Sequence, residues 1–126
     1  IGQDDGDYAS ARKIMGTERI VGVTCHDSRH LGLEAAEAGA DYVAFGAFFS
    51  SSVKPYATVA DVELLRQARA EFAVPLVAIG GIAVQNGASL VDAGADALAV
   101  ISALFDAADI QAAAQDFSKL FSRARQ

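Results

Sequence analysis

Four letters occur twice in this chain, each time in the same setting. Ala38-Gly39-Ala40-Asp41 ends a helix-like stretch and leads into the apolar run Tyr42-Val43-Ala44-Phe45. Ala93-Gly94-Ala95-Asp96 ends another and leads into Ala97-Leu98-Ala99-Val100. In both copies glycine stands where a helix stops, at the C′ position that favours a left-handed backbone. The offset of 55 residues is two units of about 27, the size of a strand-plus-helix module. The strands are short and lack polar alternation, which predicts parallel strands covered on both faces. Alternating modules of this kind leave an α/β barrel or an open doubly wound sheet.

The other elements follow from caps and periodicity. A helix is predicted from Tyr8 to Met15, closed by Gly16, with Asp7 serving its dipole. Ile20-Val21-Gly22-Val23-Thr24 reads as a strand, and Asp27 or Ser28 as the N-cap of a helix from Arg29 to about Glu37. Helix 60–72 places Val62, Leu64, Leu65 and Ala68 on one face. Pro75-Leu76 introduces the strand Val77-Ala78-Ile79, and helices over 84–93 and about 110–121 complete the chain, the last with Ala113, Phe117 and Leu120 inward.

Composition limits the function classes. At 126 residues the chain fits one domain or part of a larger one, and residues 1–126 read as a single unit. With 52% hydrophobic residues and a mean hydropathy of +0.27 it can bury a core. No apolar run approaches the ~18 residues of a membrane span, and no stretch reads as a signal peptide. A net charge of −6 and a pI near 4.7 argue against nucleic-acid binding. The single cysteine, Cys25, permits no internal disulfide, which fits a cytoplasmic setting. Cys25 reads as a small half-buried residue rather than a nucleophile, since no base is assured beside it.

The chemistry concentrates at strand ends. After Val77-Ala78-Ile79 come Gly80-Gly81, and glycines there let backbone N–H groups approach an anion without a Cβ in the way. A tight strand-to-helix turn would use the same dipeptide. The next strand ends in Ile101-Ser102-Ala103, so neighbouring loops can share one phosphate, as after strands 7 and 8 of an eight-stranded barrel. The long loop 46–58 carries Ser50, Ser51, Ser52 and the lone Lys54, which suit either a phosphate-bearing ligand or a solvated loop. Asp4 and Asp5, at what reads as a strand end, are placed either to serve the helix that follows or to hold Mg²⁺. His26, on a loop after a strand, could serve as a general acid or base, though a solvated or loop-bracing histidine is the commoner case.

Taken together these segments resemble a known family. Ile-Gly-Gln-Asp-Asp (1–5), Gly-Val-Thr-Cys-His (22–26), Ala-Gly-Ala-Asp-Tyr-Val-Ala-Phe-Gly (38–46), Ser-Ser-Ser-Val-Lys-Pro (50–55), Ala-Ile-Gly-Gly-Ile (78–82) and Ala-Val-Ile-Ser-Ala-Leu-Phe (99–105) are similar, in order and spacing, to the thiamine-phosphate synthases and their relatives. The double glycine alone is shared by many phosphate-binding barrels; the ordered set is specific and covers essentially the whole chain. The resemblance implies a (βα)8 TIM barrel that joins hydroxymethylpyrimidine diphosphate to a thiazole phosphate with Mg²⁺, giving thiamine phosphate and diphosphate. It further implies Asp5 as a metal ligand, Thr24 as a contact to the pyrimidine diphosphate, and Lys54 on the diphosphate. Ser51, Ser52 and Val53 would hold the thiazole phosphate together with Gly81, Ile101 and Ser102. Such catalysis is electrostatic and positional, and needs no protein nucleophile.

The chain departs from the family pattern in two places. Val53 stands where a second threonine is usual, at a cost of about 1 kcal/mol if one hydrogen bond is lost. The Gln-X-Arg-X-Lys and Asn-Asp motifs have no counterpart, so the expectation is the C-terminal half of a barrel, from the end of strand 4 through strands 5 to 8. A half barrel leaves open edges and an uncovered inner face, which predicts aggregation or self-pairing of the isolated chain, or a homo-oligomer. Two alternatives stand beside the synthase reading. The thiazole tautomerase branch is expected to carry His near Gly46, where Ala47 is found. A non-catalytic phosphate-binding half barrel would need neither Asp5 nor Lys54.

Overall fold

In the computed structural model, described for residues 1–49 and 60–124, the elements alternate as the repeat requires. They are α1 (Tyr8–Met15), β1 (Gly22–Thr24), α2 (Arg29–Ala38), β2 (Tyr42–Phe45), α3 (Val62–Glu71), β3 (Leu76–Ile79), α4 (Val84–Ala93), β4 (Ala97–Ala99), α5 (Ser102–Phe105) and α6 (Ile110–Ala124). Most helices begin on a side chain able to take up an orphan N–H. Asp7 accepts from Ser10 N–H at 2.7 Å, Ser28 from Leu31 at 3.1 Å, and Asp61 from Glu63 at 2.9 Å. Of the two candidates for α2, Ser28 is the cap. Gly39 and Gly94, the glycines of the repeat, end α2 and α4 at φ +105° and +121°.

The four strands form one parallel sheet in sequence order, β1-β2-β3-β4. Pairings Val23↔Val43, Ala44↔Val77 and Ala78↔Leu98 set the register. Ile1 adds a strand-like step at the free edge of β1, donating its amino N–H to Gly22 O at 2.7 Å and accepting from Thr24 N–H at 2.9 Å.

Side chains alternate across this sheet, and only one side carries the core. Val23, Val43, Phe45, Leu76 and Ala78 point to the helices and join Leu65, Phe72 and Leu90 in one cluster. Fully buried Phe45, Leu65, Leu76 and Leu90 each contribute about 1.5–3 kcal/mol relative to exposure. α2 sits close because Gly32 has no side chain: a Cβ there would lie 2.6 Å from the Phe45 ring. The described residues supply the cover on one of the two faces only. The opposite face presents Gly22, Thr24, Tyr42, Ala44, Val77, Ile79, Ala97 and Ala99, and no described helix covers it. Ile79 is 38% exposed, and Ala97 is exposed too. Small side chains at these positions make the face read as apolar in sequence while they leave it shallow.

The repeated Asp-led motif has a structural counterpart on the N-terminal rim of the sheet. Asp41 Oδ2 accepts from Val21 N–H and from the Arg12 guanidinium, both at 2.8 Å, while its own N–H reaches Val21 O. Asp96 Oδ2 accepts from Leu76 N–H at 2.8 Å and from Arg69 at 2.6 Å, and its N–H reaches Leu76 O. Each arginine also ties down the loop that follows its helix. Arg12 donates to Gly16 O and Arg19 O, and Arg69 to Phe72 O and Val74 O. Arg12 thereby holds the Asp41 carboxyl below its ordinary range, helped by the Val21 N–H. These two clasps join successive βα units at the rim where every strand begins.

Candidate phosphate-binding site

Because all strands run the same way, the loops after Ile1, β1, β2, β3 and β4 gather on the opposite, C-terminal rim. The loops after β2 and β3 cross there in backbone contact. A Cβ on Gly46 would lie 2.2 Å from Ile79 O, and one on Gly80 would lie 2.4 Å from Ala47 Cβ. Phe48 N–H donates to Ile79 O at 3.2 Å and Phe49 N–H to Gly80 O at 3.1 Å. Ala60 is fixed at the same spot, its N–H donating to Ala47 O at 2.6 Å. Both ends of segment 50–59 are thus anchored beside Gly80. Ser51, Ser52, Val53 and Lys54, the sequence candidates on this loop, lie outside the described residues.

Gly80 and Gly81 adopt φ +103° and +63°, a left-handed pair that side chains rarely tolerate. Glycine lets the backbone turn sharply there, with no Cβ to keep a ligand away from the loop. The register Ile79↔Ala99 puts the loop after β4 next to it, so Gly81 and Ser102 stand on neighbouring loops of one rim. Ser102 is exposed and opens α5, and Ile101 before it is 71% exposed. Thr24 ends β1, two strands from β3, a separation of roughly 10 Å across the sheet. The structure therefore brings Thr24, Gly81, Ile101 and Ser102 to one end.

Asp5 lies in a turn at the β1 edge of this rim. Its Oδ2 accepts from Gly2 N–H at 2.7 Å, and its N–H donates to Gly2 O at 3.2 Å. Gln3 Nε2 fastens the turn to Thr24 O at 2.7 Å. Sequence reasoning passed over Gln3, whose role depends on a partner 21 residues away. No group of three His, Cys, Asp or Glu able to hold a metal occurs among the described residues. A single exposed carboxylate still fits Mg²⁺, which is commonly bound through one or two carboxylates, substrate phosphates and water.

The remaining candidates resolve simply. Cys25 is fully buried, and burial pushes its thiol up to about 11, so it packs as a small apolar residue. His26 is exposed at φ +50°, and its carbonyl accepts Gly46 N–H at 3.0 Å, bracing the β2 loop through its backbone. A concavity of about 690 Å³ lies elsewhere, between α1, α2 and the β1 edge. Its walls include Tyr8, Val23, Leu31 and Ala35, and its guanidinium, Arg12, is already engaged by Asp41. It has the character of an uncovered core edge rather than of a reaction site.

A parallel βα array in sequence order, with its connecting loops gathered on one rim, defines an α/β protein of TIM-barrel-like type. The comparisons narrow this. A family model described as "Thiamine monophosphate synthase" matches residues 1–104, and the chain belongs to that family. Thiamine-phosphate synthases of Methylobacillus flagellatus and Thiobacillus denitrificans are each 52% identical to it over 122 residues, covering 97% of this chain and 58% of theirs. Among solved structures, thiamine phosphate pyrophosphorylase from Pyrococcus furiosus superposes with a TM-score of 0.86 at 32% identity, covering 98% of this chain and 58% of that one. The chain thus spans 58% of the length of these relatives.

Proposed function

We propose that this chain acts within a thiamine-phosphate synthase, a transferase that couples hydroxymethylpyrimidine diphosphate to thiazole phosphate in the cytoplasm. In this reading residues 1–126 form one unit, the C-terminal half of a (βα)8 barrel. The exposed face carrying Ile79 and Ala97 is then the barrel interior, and β1 and β4 are edges that further strands would close.

One observation carries the reading: the residues flanking the segment that bears Ser51, Ser52 and Lys54 are pinned, Phe49 to Gly80 and Ala60 to Ala47, on the rim that carries Gly81 and Ser102. Small, hydroxyl-rich and cationic residues on loops of one rim suit a phosphate monoester flanked by a diphosphate. Backbone N–H groups around Gly81, the Ser51, Ser52 and Ser102 hydroxyls, and the backbone at Val53 and Ile101 would hold the thiazole phosphate. Thr24, roughly 10 Å across the rim, would contact the pyrimidine diphosphate. Mg²⁺, held by Asp5, would supply neutralisation of the departing diphosphate.

Lys54 carries the largest share of the chemistry proposed for the described and flanking segments. Heterolysis of the pyrimidine methylene C–O bond places both bonding electrons on the diphosphate, and Lys54 stabilises that charge as it develops. The thiazole nitrogen, positioned through its phosphate tether, then donates its lone pair to the carbon. The test is conversion of the two substrates to thiamine phosphate by the full-length protein with Mg²⁺. Lys54→Ala should lower the rate about 100- to 1000-fold; an undiminished rate removes Lys54 from the mechanism.

A further inference from the structure

α4 starts without a capping side chain of its own. Ala83 occupies the N-cap and has nothing to offer the free N–H groups. Asn86, three residues into the helix, reaches back and does two things at once. Its Oδ1 accepts Ala83 N–H at 2.8 Å, which is half of a capping box. Its Nδ2 then donates to Gly81 O at 3.1 Å. The first bond serves the helix. The second does not; it fixes a peptide plane in the loop before it.

That plane matters because the Gly81 carbonyl and the Ile82 N–H point in opposite directions along one rigid trans unit. With the carbonyl turned to Asn86, the N–H edge of the loop is turned away from the helix side chain. Among the described residues the N–H groups of Gly81 and Ile82 find no acceptor. Glycine resists peptide rotation weakly, and Gly80-Gly81 are both in the left-handed region. A flip of the Gly81–Ile82 peptide would replace a donor with a carbonyl oxygen where an anion is to bind. We infer that Asn86 is a positioning residue: its carboxamide holds the Gly81 peptide in the orientation that binds an ester phosphate. The inference rests on the reading that Gly81 and Ser102 hold the thiazole phosphate.

Substrate-specific kinetics of the full-length protein test it. Asn86→Ala is expected to raise KM for thiazole phosphate roughly 10-fold, the worth of one positioned hydrogen bond. KM for the pyrimidine diphosphate should stay within about twofold, since that substrate lies across the rim. Asn86→Asp covers the case in which the alanine variant folds poorly. It keeps the acceptor for Ala83 N–H and therefore the helix cap, but loses the donor to Gly81. It should match or exceed the alanine effect on thiazole phosphate while melting like the parent. Asn86→Asp with unchanged KM values would reduce Asn86 to a helix cap and overturn the inference. So would an equal rise in KM for both substrates. Ser102→Ala in the same assay separates the two levels. A raised thiazole-phosphate KM there, beside unchanged Asn86 variants, sinks the inference alone; an unchanged one sinks the phosphate assignment with it.

Discussion

The two rims of the sheet are built from different materials. At the N-terminal rim, Asp41 and Asp96 are each clasped by an arginine and by a backbone N–H at the start of the preceding strand, Val21 and Leu76. Those carboxylates spend their bonding capacity on the protein itself. At the C-terminal rim the loops meet through glycine, with backbone against backbone at Gly46, Gly80 and Ala47. There, donors at Gly81 and Ile82 stay uncommitted among the described residues. Charge consumed internally gives a rim that holds the units in register; charge and N–H groups left over give a rim that can bind. This division between a stabilising and a reacting end is general for barrels of this kind.

Substitutions at the two ends should therefore separate activity from stability. The widest gap is expected for Lys54→Ala, whose loss of rate should leave the melting temperature unchanged. A parallel drop in melting would show that the loop is structural. Gly80→Ala comes next and blurs the division on purpose. Its Cβ would meet Ala47 at 2.4 Å with φ at +103°, so chemical denaturation should show a loss of about 1–3 kcal/mol. Thiazole-phosphate KM should rise with it if the proposed site is right, because the same contact shapes the Gly80-Gly81 turn. Stability without a change in KM would mean the crossing of the two loops is not part of the site.

Asp96→Ala tests the other rim. Its clasp is half exposed, so the ion pair itself adds little, and the loss should be about 1 kcal/mol, dominated by the stranded Leu76 N–H. Turnover by the full-length protein should not change, and a large fall in kcat would link this rim to the site. The smallest effect is electrostatic. Asp41 is held below its ordinary 3.8 by Arg12 and the Val21 N–H, so the stability it contributes is complete above that value. It is lost as pH falls through the lower folded value. Asp41→Asn should flatten the stability curve in that acid window; a curve parallel to the parent's would mean the clasp is open in solution. Asp7, lowered by Ser10 N–H, keeps some acid dependence in the variant.

The sequence by itself determined the elements, because their causes lie within a few residues of each other. The caps at Asp7, Ser28 and Asp61, the glycines at 39 and 94 and the helical stripe at Leu65 and Ala68 are all local. So is the family resemblance, which rests on short motifs in order. Tertiary structure decided the rest. Arg12 and Asp41 are 29 residues apart, and Gln3 and Thr24 21 apart, so no local rule joins them. Which strand residues line the open face was not legible either: alanine and glycine read as core in a string of letters, whichever way they face. Only the parallel register, by bringing Gly46 against Ile79 and Gly80 against Ala47, shows why those glycines have no substitute. Two backbones cannot approach that closely with a Cβ between them.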